Sequence, residues 1–588
     1  MRVLLTALNA KYIHTNLAIR YLEKSIIDIL HKDVGIKEFT INNNVNYIIR
    51  EIYDYRPNIL CFSCYIWNIN MINYIVKHIK KVMSEVVIVL GGPEVSFDTE
   101  VFMKENDAVD IVVIGEGEGT FRELILSLKS NSDYSLIQGI AFRARGRVVV
   151  TEPKNTMVSM DSLPFPYEGE GIEDNKILYY ESSRGCPFNC QYCLSSAMPG
   201  VRFLSLERVK KEIKYFIDRG VKQVKFVDRT FNAKKSHAME IMNYISGNCD
   251  KKINFHFEIV ADLLDDELLE FLETVPVGLF QFEIGVQTTN EGTLKEIDRQ
   301  MNFEKLCSVV KKISRGKNIH QHLDLIVGLP KEDYFSFRKS FDDVFKLRPE
   351  KFQVGFLKLL KGSGLRNRAL DYGYVYSDNP PYEVMENRWL SFGDILRLKG
   401  LEEMVEVYWN SGIFTDSIEF IIQNFYSNSF KCFEELWKYW KNNGHHHMSH
   451  SKNKLYEILI GFYSSNKFDN PEIFKEVLKL DFLKNAKISS LPQILNRIEI
   501  DDFRNKCHEF LQRDENIEKY LPLYIGMSAK QIIKRVHFES FNVDVTELDT
   551  IGYKVKKIKQ EQIVVLFDYL MENKALENCK YYKITFNR

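Results

Sequence analysis

Three cysteines, Cys186, Cys190 and Cys193, sit on one short stretch, Arg184-Gly185-Cys186-Pro187-Phe188-Asn189-Cys190-Gln191-Tyr192-Cys193, directly after a β-prone run. Thiolates so spaced can reach three corners of one metal centre. A four-thiolate zinc or iron–sulfur site would need a fourth cysteine close by, and the next one, Cys249, is distant and isolated. Three without a fourth point to a 4Fe–4S cluster with one iron open to another ligand; a zinc site completed by a remote histidine and a chance clustering of cysteines are the alternatives. A second concentration of ligand types is Gly444-His445-His446-His447-Met448-Ser449-His450, with no carboxylate or cysteine beside it. Transition-metal binding and a solvated interhelical loop both stay open there. Three further stretches could cradle a large ligand: Ser63-Cys64-Tyr65-Ile66-Trp67-Asn68, Gly91-Gly92-Pro93-Glu94 and Gly115-Glu116-Gly117-Glu118-Gly119. Glycine where a strand meets a ligand lets the backbone approach closely. Any one alone is ordinary turn chemistry; three on one sheet edge make a binding site.

These residues need elements to hold them. Strands are expected at Val3–Leu8, Gly35–Thr40, Ile59–Ser63, Val86–Leu90 and Ile111–Ile114, with helical periodicity at Leu17–Leu30 and Ile69–Met83. That alternation reads as a parallel, doubly wound sheet, whose ligands lie at the carboxyl ends of the strands. A β-rich stretch (Gly139–Arg143, Val148–Thr151) leads to a Pro-flanked linker, Asp161-Ser162-Leu163-Pro164-Phe165-Pro166-Tyr167. A second series follows, with strands at Ile177–Ser182, Val224–Val227, Phe255–Ile259, Leu279–Val286, His322–Val327 and Phe352–Phe356. Six such units suggest a partial barrel with chemistry at the strand C-termini. Within it Ser205 is the expected N-cap of helix Leu206–Asp218, and Gly220 closes that helix. Beyond residue 376 the pattern is helical (Ser429–Asn442, Lys452–Ser464) with a β-prone end at Val543–Leu548 and Tyr581–Phe586. The expected organisation is therefore 1–135 doubly wound domain, 136–175 connector, 176–375 partial barrel and 376–588 mostly helical domain.

The composition agrees. At 588 residues, 45% hydrophobic and 27% charged, the chain suits several folded domains and excludes a disordered or fibrous protein. Lys plus Arg (79) balances Asp plus Glu (80), so no global field draws it to nucleic acid or to an anionic membrane. The N-terminal apolar run is too short for a signal peptide, and no segment reaches the length of a spanning helix. Ten cysteines are too sparse for a disulfide scaffold and point to the reducing cytoplasm.

The cysteine spacing, with aromatic Tyr192 before the last thiol, resembles the radical S-adenosylmethionine (radical SAM) superfamily. A doubly wound domain ahead of such a barrel is similar to its cobalamin-binding subclass. The remainder resembles the uncharacterised C-terminal domain of one branch of these proteins. The resemblance implies a 4Fe–4S cluster on Cys186, Cys190 and Cys193, whose open iron binds S-adenosylmethionine. It implies contacts to that cofactor from Tyr192, Asp228 (where the family's Gly-Gly-Glu is absent), Glu258 as a ribose carboxylate, Gln287 beside Glu283, and Asp324. For cobalamin it implies Asn9, His14, Ser63, Tyr65, Gly91, Gly92, Pro93, Glu94, Gly115, Glu116, Gly117 and Glu118. The Asp-x-His-x-x-Gly motif that supplies an axial histidine elsewhere is missing. His14 occupies that loop without the Asp partner, so the expectation is cobalamin held without a protein histidine.

The expected function is methyl transfer to a poorly activated carbon, with the hard chemistry left to the cofactors. A non-methylating radical rearrangement or cyclisation is one alternative, and a cluster- or corrin-based sensor or assembly protein another. The balanced charge favours a small-molecule or peptide substrate over tRNA. An external electron donor, no membrane association and a monomer complete the expectation.

Overall fold

Two β-sheets, opened by the apolar runs Val3–Asn9 and Ile177–Tyr180, carry the first 356 residues of the computed structural model. It describes residues 1–156, 159–169, 175–197, 200–250, 252–485, 491–492, 494–495, 500–570 and 579–586. The protein is mixed α/β, with parallel sheets and a helical C-terminal region.

The first sheet holds β1 (Val3–Asn9), β2 (Val34–Thr40), β3 (Ile59–Ser63), β4 (Val87–Gly91), β5 (Ile111–Val113), β6 (Ile140–Ala144) and β7 (Arg147–Val150), in the order β2-β1-β3-β4-β5-β6-β7. The first five strands are parallel and β6 and β7 add antiparallel at one edge. The β-rich stretch expected in a connector is thus the margin of this sheet. β1 is buried along its whole length because helices cover both faces: Leu4 and Leu8 enter one apolar cluster, Val3, Leu5 and Ala7 the other. Asn9, Ser63 and Gly91, at the carboxyl ends of adjacent strands, share one edge.

The second sheet holds β8 (Ile177–Tyr180), then, after the hairpin β9 (Ser183–Cys186) and β10 (Gly200–Phe203), β11 (Gln223–Phe226), β12 (Asn254–Ile259), β13 (Phe280–Gln287), β14 (His320–Val327) and β15 (Lys351–Phe356). Its order is β15-β14-β13-β12-β11-β8, all parallel. This is the expected unclosed barrel, and both open edges are covered. Beside β8, Ile177 N donates to Ile13 O (2.7 Å) and Thr15 Oγ1 to Ile177 O (2.9 Å). Beside β15, Asn410 accepts from Phe352 N and donates to Phe352 O (both 2.8 Å). An exposed edge would otherwise leave a row of unpaired backbone groups.

The Pro-flanked stretch is packed rather than free. Tyr167 is fully buried, and its hydroxyl donates to Tyr179 O (2.7 Å) and accepts from Tyr179 N (3.1 Å). Ser205 occupies the N-cap position of Leu206–Arg219 but its side chain makes no capping bond; Gly220 closes the helix with φ +64.

After the short hairpin β16 (Val375–Tyr376) and β17 (Val384–Glu386), the described residues are mainly helical as far as Ile532. Three antiparallel strands follow: β18 (Val536–Phe541), β19 (Ile563–Asp568) and β20 (Lys580–Ile584), with their own core around Phe510, Phe538 and Leu566. The expectation of β-structure at Val543–Leu548 fails. Asp544 there accepts from Thr546 N (3.0 Å) and Thr546 Oγ1 (2.6 Å), and this local turn replaces a ladder. Among the described residues no helix is long and apolar enough to cross a membrane.

Candidate functional site

The cysteine loop hangs from the end of β8. Gly185, at φ +98, lies so close to Gly200 that a Cβ would fall 2.0 Å from the Gly200 carbonyl oxygen, so only glycine permits the β9–β10 hairpin that presents Cys186. Cys190 is buried and Cys186 and Cys193 partly so; all ten cysteines are free thiols. Ser195 N donates to Cys193 Sγ (3.4 Å), and Thr230 Oγ1 lies 3.5 Å from Cys186 Sγ. Arg299 comes from outside the loop. Its Nη1 donates to Cys190 Sγ (3.7 Å) and to the Tyr192 hydroxyl (3.1 Å), its Nη2 donates to Gly285 O, and its buried Nε has no partner. Burial pushes the Cys190 thiol up while the Arg299 charge opposes that rise. Three free thiols with a guanidinium beside them suit a thiolate-held iron–sulfur cluster, which is anionic and takes hydrogen bonds at sulfur. A further feature of Arg299 is that its neighbours clasp the same loop: Gln191 N donates to Ile297 O (2.9 Å) and Asn189 Nδ2 to Asp298 Oδ2 (2.8 Å).

The residues expected around S-adenosylmethionine divide. Tyr192 lies at the cysteines and burial raises its hydroxyl strongly. Gln287 ends β13 at φ +72, after a register shift against β14, and folds its side chain over Gly285, where an added Cβ would meet its Nε2 at 2.3 Å. A non-glycine residue held in that conformation beside a bulge marks stored strain, which concentrates at functional sites. Asp228 is fully buried and turned away, accepting from Ser182 N (2.9 Å), Ser182 Oγ (2.7 Å) and Ser183 Oγ (2.5 Å). It fastens the start of the cysteine hairpin to the end of β11, and burial lifts it to about 6.

Glu258 and Asp324 face the barrel lumen with groups the sequence reading left without a role. Alternation along the strands buries Phe280, Phe282, Ile284 and Val286 against the helices and turns Gln281, Glu283, Gly285 and Gln287 inward. Across the sheet, Tyr179 pairs with Lys225, Lys225 with His256, Glu258 with Glu283, and Glu283 with His322. Lys225 Nζ reaches Glu283 (2.9 Å) and Glu258 (3.9 Å). Burial would raise Glu283, but contact with His256 and the Lys225 ammonium hold it well below the usual range. Glu258 rises to about 7 through burial and the Glu283 charge. Alternating polar residues inside apolar strands were a readable signal for this lining.

The first sheet faces the cysteine loop with its loop edge. Tyr65 and Trp67 stack at 4.4 Å with 4° between their planes, and Trp67 is 45% exposed. Trp67 Nε1 and Asn68 Nδ2 both donate to Leu8 O (3.1 Å each), fixing that loop to the end of β1. Asn16 Nδ2 donates to Ser63 Oγ (3.1 Å), and Asn9 Nδ2 to His14 O (2.9 Å) and Glu38 (3.2 Å). At Gly92, φ +111, a Cβ would stand 2.5 Å from Cys64 O, so the second loop nests on the first only as glycine. Cys64 itself is fully buried. Gly91, Gly92, Ser63 and Tyr65 therefore make one surface.

The acidic residues of these loops look elsewhere. Glu94 is buried, accepts from the Tyr382 hydroxyl and pairs with Lys361 (3.3 Å), while Pro93 starts the single turn that carries it. Glu118 takes both guanidinium nitrogens of Arg184 (2.5 and 3.3 Å), and Arg184 also holds Glu181 (2.7 Å). Glu116 pairs with Arg202. Gly115, at φ +78, and Gly117 set the turn that sends both glutamates to the barrel. His14 is drawn the same way: Nδ1 lies 2.6 Å from the Tyr179 hydroxyl, and burial and nearby lysines lower its pKa. In the C-terminal region, the His445–His450 rings pack on one another and on Trp437 and Trp440.

Comparison with known proteins divides the chain as its sheets do. Residues 3–125 match the model of the B12 binding domain, 180–344 that of the Radical SAM superfamily, and 370–567 that of a protein of unknown function, DUF4080. Relatives include the cobalamin-dependent radical SAM methyltransferase TokK of Streptomyces tokunonensis, 29% identical over 50% of this chain and 45% of its own length. An uncharacterised methyltransferase of Pyrococcus horikoshii is 28% identical over 44% of this chain and 57% of its own. The chain thus spans about half the length of the curated relatives it matches. Among solved structures, the cobalamin-dependent S-adenosylmethionine radical enzyme OxsB, with aqua-cobalamin and S-adenosylmethionine bound, superposes at TM-score 0.55 with 17% identity, covering 82% of this chain and 78% of that one. The radical S-adenosylmethionine methyltransferase TsrM of Kitasatospora setae, with cobalamin and a [4Fe-4S] cluster, gives 0.54 with 15% identity over 65% of this chain and 79% of that one. Both similarities concern the fold.

Proposed function

The chain belongs to the radical SAM proteins that carry a B12-binding domain, and from that premise we propose that it is a cytoplasmic, cobalamin-dependent radical SAM methyltransferase acting on a poorly activated carbon of a small molecule or peptide. The observation that carries the reading is the Arg184 clasp. The residue two before Cys186 is held by Glu118 of a B12-domain loop, so the glycine-loop edge and the cysteine loop oppose each other across one space.

We assign Cys186, Cys190 and Cys193 to a 4Fe–4S cluster, Tyr192, Gln287 and Glu258 to S-adenosylmethionine, and the Ser63–Tyr65 and Gly91–Gly92 surface with Asn9 to cobalamin. When bound, the cluster supplies the electron that cleaves S-adenosylmethionine, and methylcobalamin supplies the methyl group. The chain's own residues place and shield. Arg299 holds Cys190 and Tyr192 in one arrangement, and its charge offsets the negative thiolates. Asp228, through Ser182 and Ser183, fixes the hairpin that bears Cys186. Tyr65 and Trp67 offer a flat apolar face to a macrocycle, and the Glu116, Glu118 and Glu94 pairs keep the two domains from parting and admitting water. Asp324, Glu94, Glu116 and Glu118 are assigned to these supporting contacts or to the lumen rather than to cofactor. Hydrogen-atom abstraction needs no general base, and none is assigned. The electron comes from an external donor.

The test is anaerobic reconstitution with iron, sulfide and cobalamin, then reductant and S-adenosylmethionine, with both nucleoside products read by mass spectrometry. Corrin retention with 5′-deoxyadenosine and S-adenosylhomocysteine is expected. Loss of 5′-deoxyadenosine in Cys190→Ala, with corrin kept, is expected too. 5′-Deoxyadenosine alone, with the substrate present, would convert the reading to a radical rearrangement, and failure to retain corrin would overturn it.

A further inference from the structure

Within the barrel lumen, Glu283, His322 and Asp324 each offer one ligand atom, and these three atoms all lie within 4.8 Å of one another. Glu283 and His322 face each other across β13 and β14, and Asp324 follows two residues along β14, so strand alternation places all three on the inner face. Two observations separate this trio from an ordinary polar lining.

The first is unspent bonding capacity. His322 is only 6% exposed, and its Nε2 lies 2.8 Å from Asp324 Oδ1; yet neither buried atom completes a directed hydrogen bond. His256, 7% exposed, repeats the pattern: its Nε2 lies 3.2 Å from Glu283 Oε2 without an aligned hydrogen bond. Buried polar atoms that meet without an aligned hydrogen bond are costly and rare, and a cation beside both atoms of such a contact would satisfy them together. The second is charge. Glu258, Glu283 and Asp324 face a single close ammonium, Lys225, with Arg229 acting on Glu258 from farther off. A dication would meet both deficits together.

We propose that Glu283, His322 and Asp324 form a divalent transition-metal site in the barrel lumen, with His256 supporting Glu283. One imidazole with two carboxylates suits Mn²⁺, Fe²⁺ or Zn²⁺ better than Mg²⁺ or Ca²⁺, which prefer all-oxygen shells. Three protein ligands leave positions for an oxygen or nitrogen donor of whatever molecule fills the lumen, which the ion would orient. The inference does not depend on methyl transfer.

The test uses holoprotein with its iron–sulfur centre assembled, so that the cysteines are occupied, desalted free of excess iron. Mn²⁺ is added alone, and its uptake is read from loss of the free-ion EPR signal. The expected result is one equivalent bound. His322→Gln and Asp324→Asn should each weaken it by at least the roughly tenfold that even outer-shell partners of a metal are worth. Melting temperature and iron content should not change, and removal of His446 and His447 should leave uptake as it was. No stoichiometric uptake of Mn²⁺ or, by competition, Zn²⁺ overturns the proposal; so does equal binding by both variants. If either variant loses its melting transition, Glu283→Gln is read in its place by the same criterion.

Discussion

The two surfaces that face each other in this protein are built on opposite plans. On the first sheet the loop edge offers backbone, glycine and stacked aromatics, and its carboxylates are turned aside: Glu94 to Tyr382 and Lys361, Glu116 to Arg202, Glu118 to Arg184. In the barrel, charge is turned inward, with Lys225, Glu258, Glu283, His322 and Asp324 lining the lumen. A large preformed group is held by shape, and charge on its platform would only add desolvation cost. A small polar molecule has little shape to hold, so its site must spend charge. The acidic residues of the first sheet are thus paired with the barrel's cations and with Tyr382, and on the assignment proposed above those of the barrel serve binding. Exchanging or removing these roles should have unequal consequences.

The largest effect is expected at Arg184→Met, which leaves Glu118 and Glu181 in a mostly enclosed space without their shared cation. Breaking one partner of such a cluster costs roughly 3 kcal/mol or more. Because the contact joins the two domains, corrin retention should fall along with the denaturation midpoint. A variant that loses midpoint but keeps corrin would show that the clasp stabilises the barrel alone, and the division of roles drawn here would fail.

Glu332 sharpens the contrast from the barrel side. It is fully buried below the end of β13, where Oε1 accepts from Thr288 (2.6 Å) and Ser340 (2.8 Å), while Oε2 has no partner. Burial lifts it to about 7 from 4.5. The folded state thus holds a proton that the unfolded state has released between these values, so this group favours folding below that window and opposes it above. Glu332→Gln imitates the protonated form. It should raise stability at pH 8 by at most roughly 3 kcal/mol and leave it nearly unchanged at pH 4.5. Parallel melts at the two pH values check this; an equal change at both would mean that packing, not charge, sets the difference.

Gly92→Ala isolates the platform. A Cβ there meets Cys64 O at 2.5 Å in a backbone region that is essentially glycine's alone and costs other residues about 1–3 kcal/mol. The Ser63–Asn68 loop must shift, and corrin affinity should drop by about tenfold, or 1.4 kcal/mol, with iron content and Mn²⁺ uptake unaltered. Corrin titration by absorbance is the measurement. Unchanged affinity would remove the Gly91–Gly92 surface from the cobalamin assignment.

What the sequence made legible follows the same divide. Local patterns were readable: the cysteine spacing, six barrel strands within one or two residues, and glycine loops on one edge, because each depends on neighbours in the chain. Partners distant in sequence were not. Nothing local ties Arg299 to Cys190, or says that Glu116 and Glu118 leave their own loop for Arg202 and Arg184. Asp228 was expected at the cofactor from the resemblance, at the place of the family's Gly-Gly-Glu, and nothing local says that its oxygens accept from two serines 45 and 46 residues earlier. In the C-terminal region, strand β18 escaped notice because Val536–Phe541 places His537 and Glu539 inside an apolar run; Glu539 is fully buried against that histidine (3.1 Å). A charge there reads as solvent until its partner is known.

The smallest effect tests that lesson on one helix. A serine before Leu206–Arg219 fits the N-cap preference, and loss of a working serine cap costs about 1 kcal/mol. Here Ser205 is exposed and its hydroxyl makes no capping bond, whereas its backbone N–H donates to Asp161 Oδ1 at 2.9 Å. Asp161 belongs to the Pro-flanked stretch before β8, and its carbonyl also accepts from Arg208 Nη1 (3.0 Å). The helix start is thus anchored from a distant segment, with an anion beside the positive end of the helix dipole. Ser205→Ala should change stability by no more than a few tenths of a kcal/mol, and Asp161→Ala by about 0.5–1 kcal/mol. Urea denaturation of the two variants decides between them. The reverse order would return the cap to Ser205 and make the local pattern, after all, the cause of this helix start.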